Sequence, residues 1–260
     1  MGIVGVSTFG LLTPDFYAQE TPNWQAQSTG QDLIDLLLIA PVLLISSLLM
    51  YKGNRLSHWI WAGTNLYLVY TFAIYTFSVQ FNSLFLFYCI NFGLAFYSFL
   101  LFLYGEVRRP VHTLPVMTRW WNIAAYYQII VAIIFYLLWL MDVIPAMWSG
   151  YKPQSLLQVG LPTNPVHVID LSIFLPGMLM TGWAVRRRHH LGYLFTPVIL
   201  AFTILMNLTI GILNIVMARY GFGANWILVM IMAGLALFSL FLLIQVRPTG
   251  TTKTITYEAG

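Results

Sequence analysis

The chain has 260 residues, of which 59% are hydrophobic and only 8% are charged, and its mean hydropathy is +0.78. Soluble domains carry about 25% charged residues, so this composition excludes a large soluble module. The formal net charge of +4 does not indicate nucleic-acid binding, because the basic residues are spread over short loops instead of one continuous face.

Residues 1–30 are expected to form an extracytoplasmic arm in front of the first membrane span. Met1–Leu12 is apolar but lacks a basic n-region, so it is a poor candidate for a signal peptide. Ser28 and Gln31 have the spacing of a capping box, which predicts that a helix starts near them. Asp32 would then lie in the first turn, where the helix dipole favours an anion.

Seven apolar segments follow, each close to or above the roughly 20 residues that a helix needs to cross a hydrocarbon core of about 30 Å. Backbone polar groups must be paired inside lipid, so these segments are predicted to be helices. They are Leu33–Tyr51, Leu56–Val79, Ser83–Tyr104, Trp121–Trp148, Pro165–Val185, Tyr193–Arg219 and Asn225–Val246. The sequence therefore predicts an all-α, polytopic bundle of seven transmembrane helices over residues 31–247, followed by a tail at 248–260.

The distribution of basic residues predicts the orientation of this bundle. Ten of the twelve Lys and Arg residues fall in loops on one side: Lys52, Arg55, Arg108, Arg109, Arg119, Arg186, Arg187, Arg188, Arg247 and Lys253. Only Lys152 and Arg219 fall on the other side. Because cytoplasmic loops are enriched in Lys and Arg, the N-terminus is expected outside and the C-terminal tail in the cytoplasm.

The start of the fifth span carries the most specific polar pattern. Asn164 is suited to be the N-cap and Pro165 the first helical residue. His167 and Asp170 are three residues apart and share one helix face. A carboxylate inside a span is costly unless it is paired, so Asp170 should face the bundle interior. These two residues are candidates for ligand contacts, proton carriers or metal ligands.

Other polar residues are predicted at the same outer depth. Asp35 lies one turn inside the first span, Asp142 ends the fourth span, and Tyr75 and Asn82 flank a short outer turn. If the acids converge with His167, they form an oxygen-rich site with one imidazole, which suits a hard or borderline cation. We expect Asp35, His167 and Asp170 to lie close together. The candidate ligand-binding residues are therefore Asp35, Tyr75, Asp142, Asn164, His167 and Asp170, together with Asn82.

Each of these residues also has a purely structural interpretation. Asp170 could accept hydrogen bonds from neighbouring side chains and fix helix packing, while Asp35 and Asp142 could be interfacial acids in contact with headgroup water. Cys89 is the single cysteine, and its expected role is that of a small buried hydrophobe.

The sequence shows no convincing internal repeat, and an odd number of spans argues against a simple duplication. Because transporters often contain repeats, this observation favours binding over transport.

Several of these segments together resemble a group of uncharacterised bacterial multi-spanning membrane proteins. The resemblance is carried by Asp142–Ala146, Leu161–Asp170, Arg186–Arg188 and Leu191–Tyr193, and similar residues occur at Gly30–Asp32 and Phe81–Phe85. It covers most of the chain from about residue 30 onward. It implies a bacterial cytoplasmic membrane as the location, but no activity, cofactor or protein partner.

Three functional hypotheses follow from the sequence. The first is a non-enzymatic membrane protein that binds a small ligand or cation in an outward-facing pocket, with a sensing, transport or accessory role. The second is an intramembrane metal-dependent enzyme that uses His167 and Asp170. The third is a structural membrane subunit whose polar residues only fix the packing of the helices.

Overall fold

A computed structural model describes residues 2–108 and 118–246, and in this part of the chain all regular structure is helical. We number the helices in chain order. They are α1 Gly2–Leu12, α2 Pro22–Tyr51, α3 Arg55–Ser78, α4 Phe85–Val107, α5 Arg119–Ser149, α6 Gln154–Val159, α7 Pro165–Arg186, α8 His190–Arg219 and α9 Trp226–Gln245. The predicted tail and the basic residues Arg109, Arg247 and Lys253 lie outside the described residues.

Six of these helices are long and apolar enough to cross a membrane, namely α2, α4, α5, α7, α8 and α9. This confirms the prediction of an all-α chain with several membrane-spanning helices. Helix α3 corresponds to the predicted second span and has 24 residues, but it is less apolar and is not one of the six. The count of seven spans and the orientation of the termini stay predictions.

Helix α2 begins earlier than the capping pattern indicated. Its N-cap is Thr21, whose hydroxyl accepts a hydrogen bond from the Trp24 amide at 3.3 Å, and Pro22 is the first helical residue. The prediction of a start near Ser28 was wrong, because Thr followed by Pro is the stronger start signal. As a result, Asp32 lies in the third turn of a continuous helix and not at its exposed end.

The predicted N-terminal arm contains the short helix α1, which packs against α2 and α4. Its buried residues are Ile3, Val6, Ser7 and Gly10. In the connection to α2, the buried Glu20 accepts a hydrogen bond from the Gln80 amide at 2.6 Å. Burial raises the pKa of Glu20, and this hydrogen bond only partly opposes the effect.

Two of the membrane helices contain a widened π-helical turn, and each turn begins at an aspartate. The turns are Asp35–Ile39 in α2 and Asp170–Phe174 in α7. A proline follows each aspartate by six residues, at Pro41 and Pro176. Proline cannot donate the helical hydrogen bond and its ring crowds the preceding turn, so a wider turn relieves both problems. Both carboxylates therefore lie where the regular α-helical hydrogen bonding is interrupted.

The centre of the bundle is the crossing of α3 and α8. Gly63 makes this crossing close, since a Cβ at this position would lie 2.6 Å from the Cβ of Ala201 and 2.7 Å from the carbonyl oxygen of Val198. Helices α2 and α4 flank α3, while α7 and α9 flank α8. Helix α5 packs mainly on α7. The polar residues described below lie where α2 and α7 meet this central pair.

Candidate functional site

The Asp32 carboxylate is fully buried and held by tyrosine hydroxyls from two other parts of the chain. Tyr17 donates to Oδ2 at 2.7 Å, and Tyr75 of α3 donates to Oδ1 at 2.9 Å. The Tyr75 hydroxyl also lies 3.2 Å from the carbonyl oxygen of Ser28. Burial, followed by the charge of Asp32, raises the pKa of the Tyr17 phenol, so Tyr17 acts as a hydrogen-bond donor.

The Asp35 carboxylate lies one turn further along α2 and is only 1% exposed. Its Oδ1 accepts a hydrogen bond from the Gln31 side-chain amide at 2.9 Å. The same amide lies 2.8 Å from the Tyr67 hydroxyl, which is 2.8 Å from the hydroxyl of Thr209 on α8. A chain of hydrogen bonds therefore connects Asp35 to both central helices.

Both carboxylates accept hydrogen bonds from uncharged side chains. Within residues 2–108 and 118–246, no Lys or Arg forms an ion pair with Asp32 or Asp35. The two acids are three residues apart on one helix, a separation that places Cβ atoms about 5–6 Å apart, and two charges at about that distance repel by about 3 kcal/mol at an effective dielectric constant of 20. Desolvation of each charge adds a further cost. The site is therefore built from neutral hydrogen-bond donors around an acid pair.

A second group forms around Asp170 on α7. The Trp139 indole donates to Oδ2 of Asp170 at 2.9 Å, and the buried Tyr70 hydroxyl of α3 faces the same carboxylate. Tyr70 also interacts electrostatically with Tyr67. Since Tyr67 belongs to the surroundings of Asp35, these two tyrosines of α3 lie between the two groups of acids.

His167 belongs to the Asp170 group and is 6% exposed. Its ring contacts the Trp139 ring, with the centroids 4.5 Å apart and the planes at 42°. It also interacts electrostatically with Asp142, which accepts a hydrogen bond from the Ser155 hydroxyl at 2.5 Å. The predicted cap is confirmed, because the Asn164 side chain accepts from the amides of Val166 and His167.

A cleft of about 490 Å³ opens between the end of α5, helix α6 and the start of α7. It is mainly apolar, with His167, Asn164, Thr163 and Ser172 as polar members of its wall. The remaining lining residues include Met147, Leu156 and Leu171. This cleft is large enough for a small molecule, and His167 connects it through Trp139 to Asp170.

The structure distributes the predicted site residues over two groups. Asp35 and Tyr75 belong to the group around Asp32, and Asp142, Asn164, His167 and Asp170 belong to the second group. Asn82 lies at the edge of the first group, where its amide is 3.4 Å from the Tyr88 hydroxyl. In the described part of the chain, no three His, Cys, Asp or Glu side chains are arranged to hold a metal ion. The assignment of His167 and Asp170 as metal ligands stays a prediction.

Sequence reasoning missed Asp32, Tyr17 and Tyr67 as members of the site. Asp32 was assigned to a helix start because the beginning of α2 was misplaced. The sequence does contain one indication that Asp32 belongs to the site. Asp32 and Asp35 are three residues apart, and residues at this spacing share a helix face.

A scan against protein-family models found no match to this chain, and neither did searches of curated proteins and of solved structures.

Proposed function

We propose that this is a multi-pass membrane protein that binds a proton at the buried acid pair Asp32 and Asp35. The observation that carries the proposal is the complete burial of two neighbouring carboxylates that, among residues 2–108 and 118–246, have no basic partner. Ionisable groups inside membrane proteins are costly and mark ion or proton pathways. A proton bound to either carboxylate removes one of the two charges.

A proton fits this site better than a metal ion does. Tyr17, Tyr75 and Gln31 all present hydrogen atoms to the carboxylate oxygens. Such donors compete with a metal ion for the oxygen lone pairs, whereas they leave a carboxylate oxygen free to take one proton. The sequence predicted a site for a small ligand or cation, and we propose that the bound cation is a proton.

Infrared difference spectroscopy tests the proposal. The wild type at neutral pH should show the C=O stretch of a protonated carboxylic acid, and this band should disappear or shift in Asp35→Asn or Asp32→Asn. The matched control is Asp15→Asn, because Asp15 is exposed and lies outside the spans. A spectrum with only carboxylate bands, unchanged by the two buried substitutions, would contradict the proposal.

The topology completes this proposal. Helix α3 is buried between α2, α4 and α8, so it would cross the membrane with them as the seventh span. The basic residues then place the N-terminus outside and the C-terminus in the cytoplasm. The resemblance to bacterial membrane proteins supports the bacterial cytoplasmic membrane as the location.

A second candidate function is binding of a small, mainly apolar molecule in the cleft beside His167. It is favoured by the apolar lining with a single imidazole, which is typical of small-molecule sites. A photoreactive alkyl diazirine should label Leu156 or Leu171 in the wild type, and less in His167→Phe. Equal labelling in both proteins, at the level of the lipid-facing Leu101, would contradict it.

A further inference from the structure

The two π-helical segments correspond to each other at a constant spacing of 135 residues. The turn Asp35–Ile39 matches Asp170–Phe174, and the helical segment that follows, Ala40–Tyr51, matches Leu175–Arg186 residue for residue. The pairs Ile34 and Ile169, Leu36 and Leu171, Pro41 and Pro176, and Leu44 and Leu179 are identical. These matches argue against the interpretation that the sequence contains no repeat.

The ends of the two segments also match in their hydrogen bonds. The amides of Lys52 and Arg187 each donate to the carbonyl four residues earlier, in α2 and α7. The next residues, Gly53 and Arg188, both have positive φ, at 81° and 55°. This conformation is unfavourable for arginine, so its presence at the matching position indicates a common turn geometry.

The correspondence continues into the next helices and into the packing. Asn54 and His189, again 135 residues apart, are the N-caps of α3 and α8. Helix α2 packs on α8 and α7 packs on α3, so each half contacts the other in the same way. Helix α1 packs on α2, and the corresponding part of α5 contacts α7, where Trp139 donates to Asp170.

The same spacing relates the polar residues of the two groups. Asp35 corresponds to Asp170, and Asp32 corresponds to His167. Both acids begin a π-helical turn, and both lie where one half contacts a central helix of the other half. The two groups are therefore two versions of one site, with an acid pair in the first half and a histidine–acid pair in the second.

A pair outside α2 and α7 follows the same rule. Ser7 of α1 corresponds to Asp142 of α5. Ser7 lies near Asp32, and Asp142 lies near His167. A polar residue thus occupies the corresponding position beside each of the two groups.

We infer that the chain is an internal duplication, and that its halves, residues 2–108 and 137–246, rearrange against each other to carry protons across the membrane. On the proposed topology, α2 and α7 run in the same direction, which is the parallel-repeat arrangement of some secondary transporters. Asp35 and Asp170 then each lie near a tyrosine of the central helix α3, Tyr67 for the first acid and Tyr70 for the second. The inference rests on the proposed proton binding and adds transport to it.

Several titratable groups face the acids of the first half. Asp35 is faced by Asp32 on its own helix and by Tyr67 and Tyr75 on α3. Two further tyrosines, Tyr17 and Tyr88, lie near Asp32.

Asp170 is faced by Tyr70 of α3, and Trp139 of α5 donates to it. His167 precedes it by one turn, and Asp142 interacts with that histidine. Among the described residues, no Lys or Arg forms an ion pair with Asp170, so a proton that binds there neutralises an uncompensated charge.

A disulfide between the halves provides the test of rearrangement. A Cβ at Gly30 of α2 would lie 3.4 Å from the Cβ of Val216 on α8, close to the spacing of bridged cysteines. The variant Gly30→Cys with Val216→Cys, in a Cys89→Ala background, locks the two halves when it is oxidised. The matched control is Gly211→Cys with Met232→Cys, where the corresponding distance is 3.7 Å and both residues belong to the second half.

Proton flux is measured in proteoliposomes that contain the pH dye pyranine, with valinomycin and potassium to balance charge. We expect flux in the wild type, at least a tenfold loss in the oxidised inter-half variant, recovery after reduction, and no loss in the control. Undiminished flux in the oxidised inter-half variant, with the disulfide verified by mass spectrometry, would overturn the inference.

The two acids provide an independent arm of the same experiment. Asp35→Asn and Asp170→Asn should each reduce flux at least tenfold, while Asp15→Asn should not. Normal flux in Asp170→Asn would overturn the equivalence of the sites. If the infrared band of the buried acid is present but the wild type transports no protons, the transport inference fails and the proposed proton binding stands.

Discussion

Gly10 of α1 lies directly against the Asp32 carboxylate of α2. A Cβ at Gly10 would be 2.1 Å from Oδ2 of Asp32 and 3.0 Å from the Tyr17 hydroxyl. The backbone of α1 therefore covers the Asp32 carboxylate, and the absence of a side chain at Gly10 permits this close contact.

We therefore expect Gly10→Ala to destabilise the protein by about 1–3 kcal/mol, since an added methyl group would displace Asp32 or α1. Thermal unfolding in detergent measures the effect. Gly5→Ala is the control on the same helix, because no atom lies within 4 Å of a Cβ there. Equal midpoints for both variants would show that α1 does not close the site.

Removal of the Tyr75 hydroxyl tests the hydrogen bonds of the acid pair. Tyr75→Phe leaves Oδ1 of Asp32 without this donor, and we expect a loss of about 1–3 kcal/mol in the free energy of unfolding. The control is Tyr97→Phe, because Tyr97 is 65% exposed. If Tyr75→Phe were as stable as Tyr97→Phe, the hydroxyl would contribute nothing to the site.

The crossing of the central helices makes a third prediction. Gly63→Val places a side chain against Ala201 and the Val198 carbonyl, and we expect poor folding or a loss of more than about 2 kcal/mol. Gly93→Val on α4 is the control, since its Cβ would meet nothing within 4 Å. Size-exclusion chromatography and unfolding midpoints compare the two. Wild-type behaviour of Gly63→Val would exclude a close crossing.

Glu20 predicts a dependence of stability on pH. Its pKa is raised in the folded protein by burial, so the folded state holds the proton more tightly than the unfolded state does. Stability is then highest below the ordinary range of glutamate and falls as the pH rises through the raised pKa. Glu20→Gln should remove this loss, because the amide stays neutral and its oxygen still accepts from Gln80. Parallel pH curves for both proteins would contradict the prediction.

The membrane helices could be predicted from the sequence because length and apolar character are local properties. The start of α7 was also predictable, since Asn164 and Pro165 are strong start signals and the structure confirms the cap. The start of α2 was misplaced because the weaker pattern at Ser28 was chosen over Thr21 and Pro22.

The composition of the site could not be read in the same way. Tyr17 and Tyr75 reach Asp32 from distant positions in the chain, and such contacts depend on tertiary packing. The duplication was hidden because few side chains are identical between the halves. It became visible through backbone geometry, in particular the π-helical turns at Asp35 and Asp170.

The central claim is that the acid pair of α2 carries a proton, and carboxyl ¹³C NMR tests it most directly. The chain contains only five aspartates, so selectively labelled protein gives few signals, and Asn substitutions assign them. At neutral pH we expect a signal of a protonated carboxyl that is absent in Asp35→Asn or in Asp32→Asn. Five signals that all belong to ionised carboxylates would contradict the account.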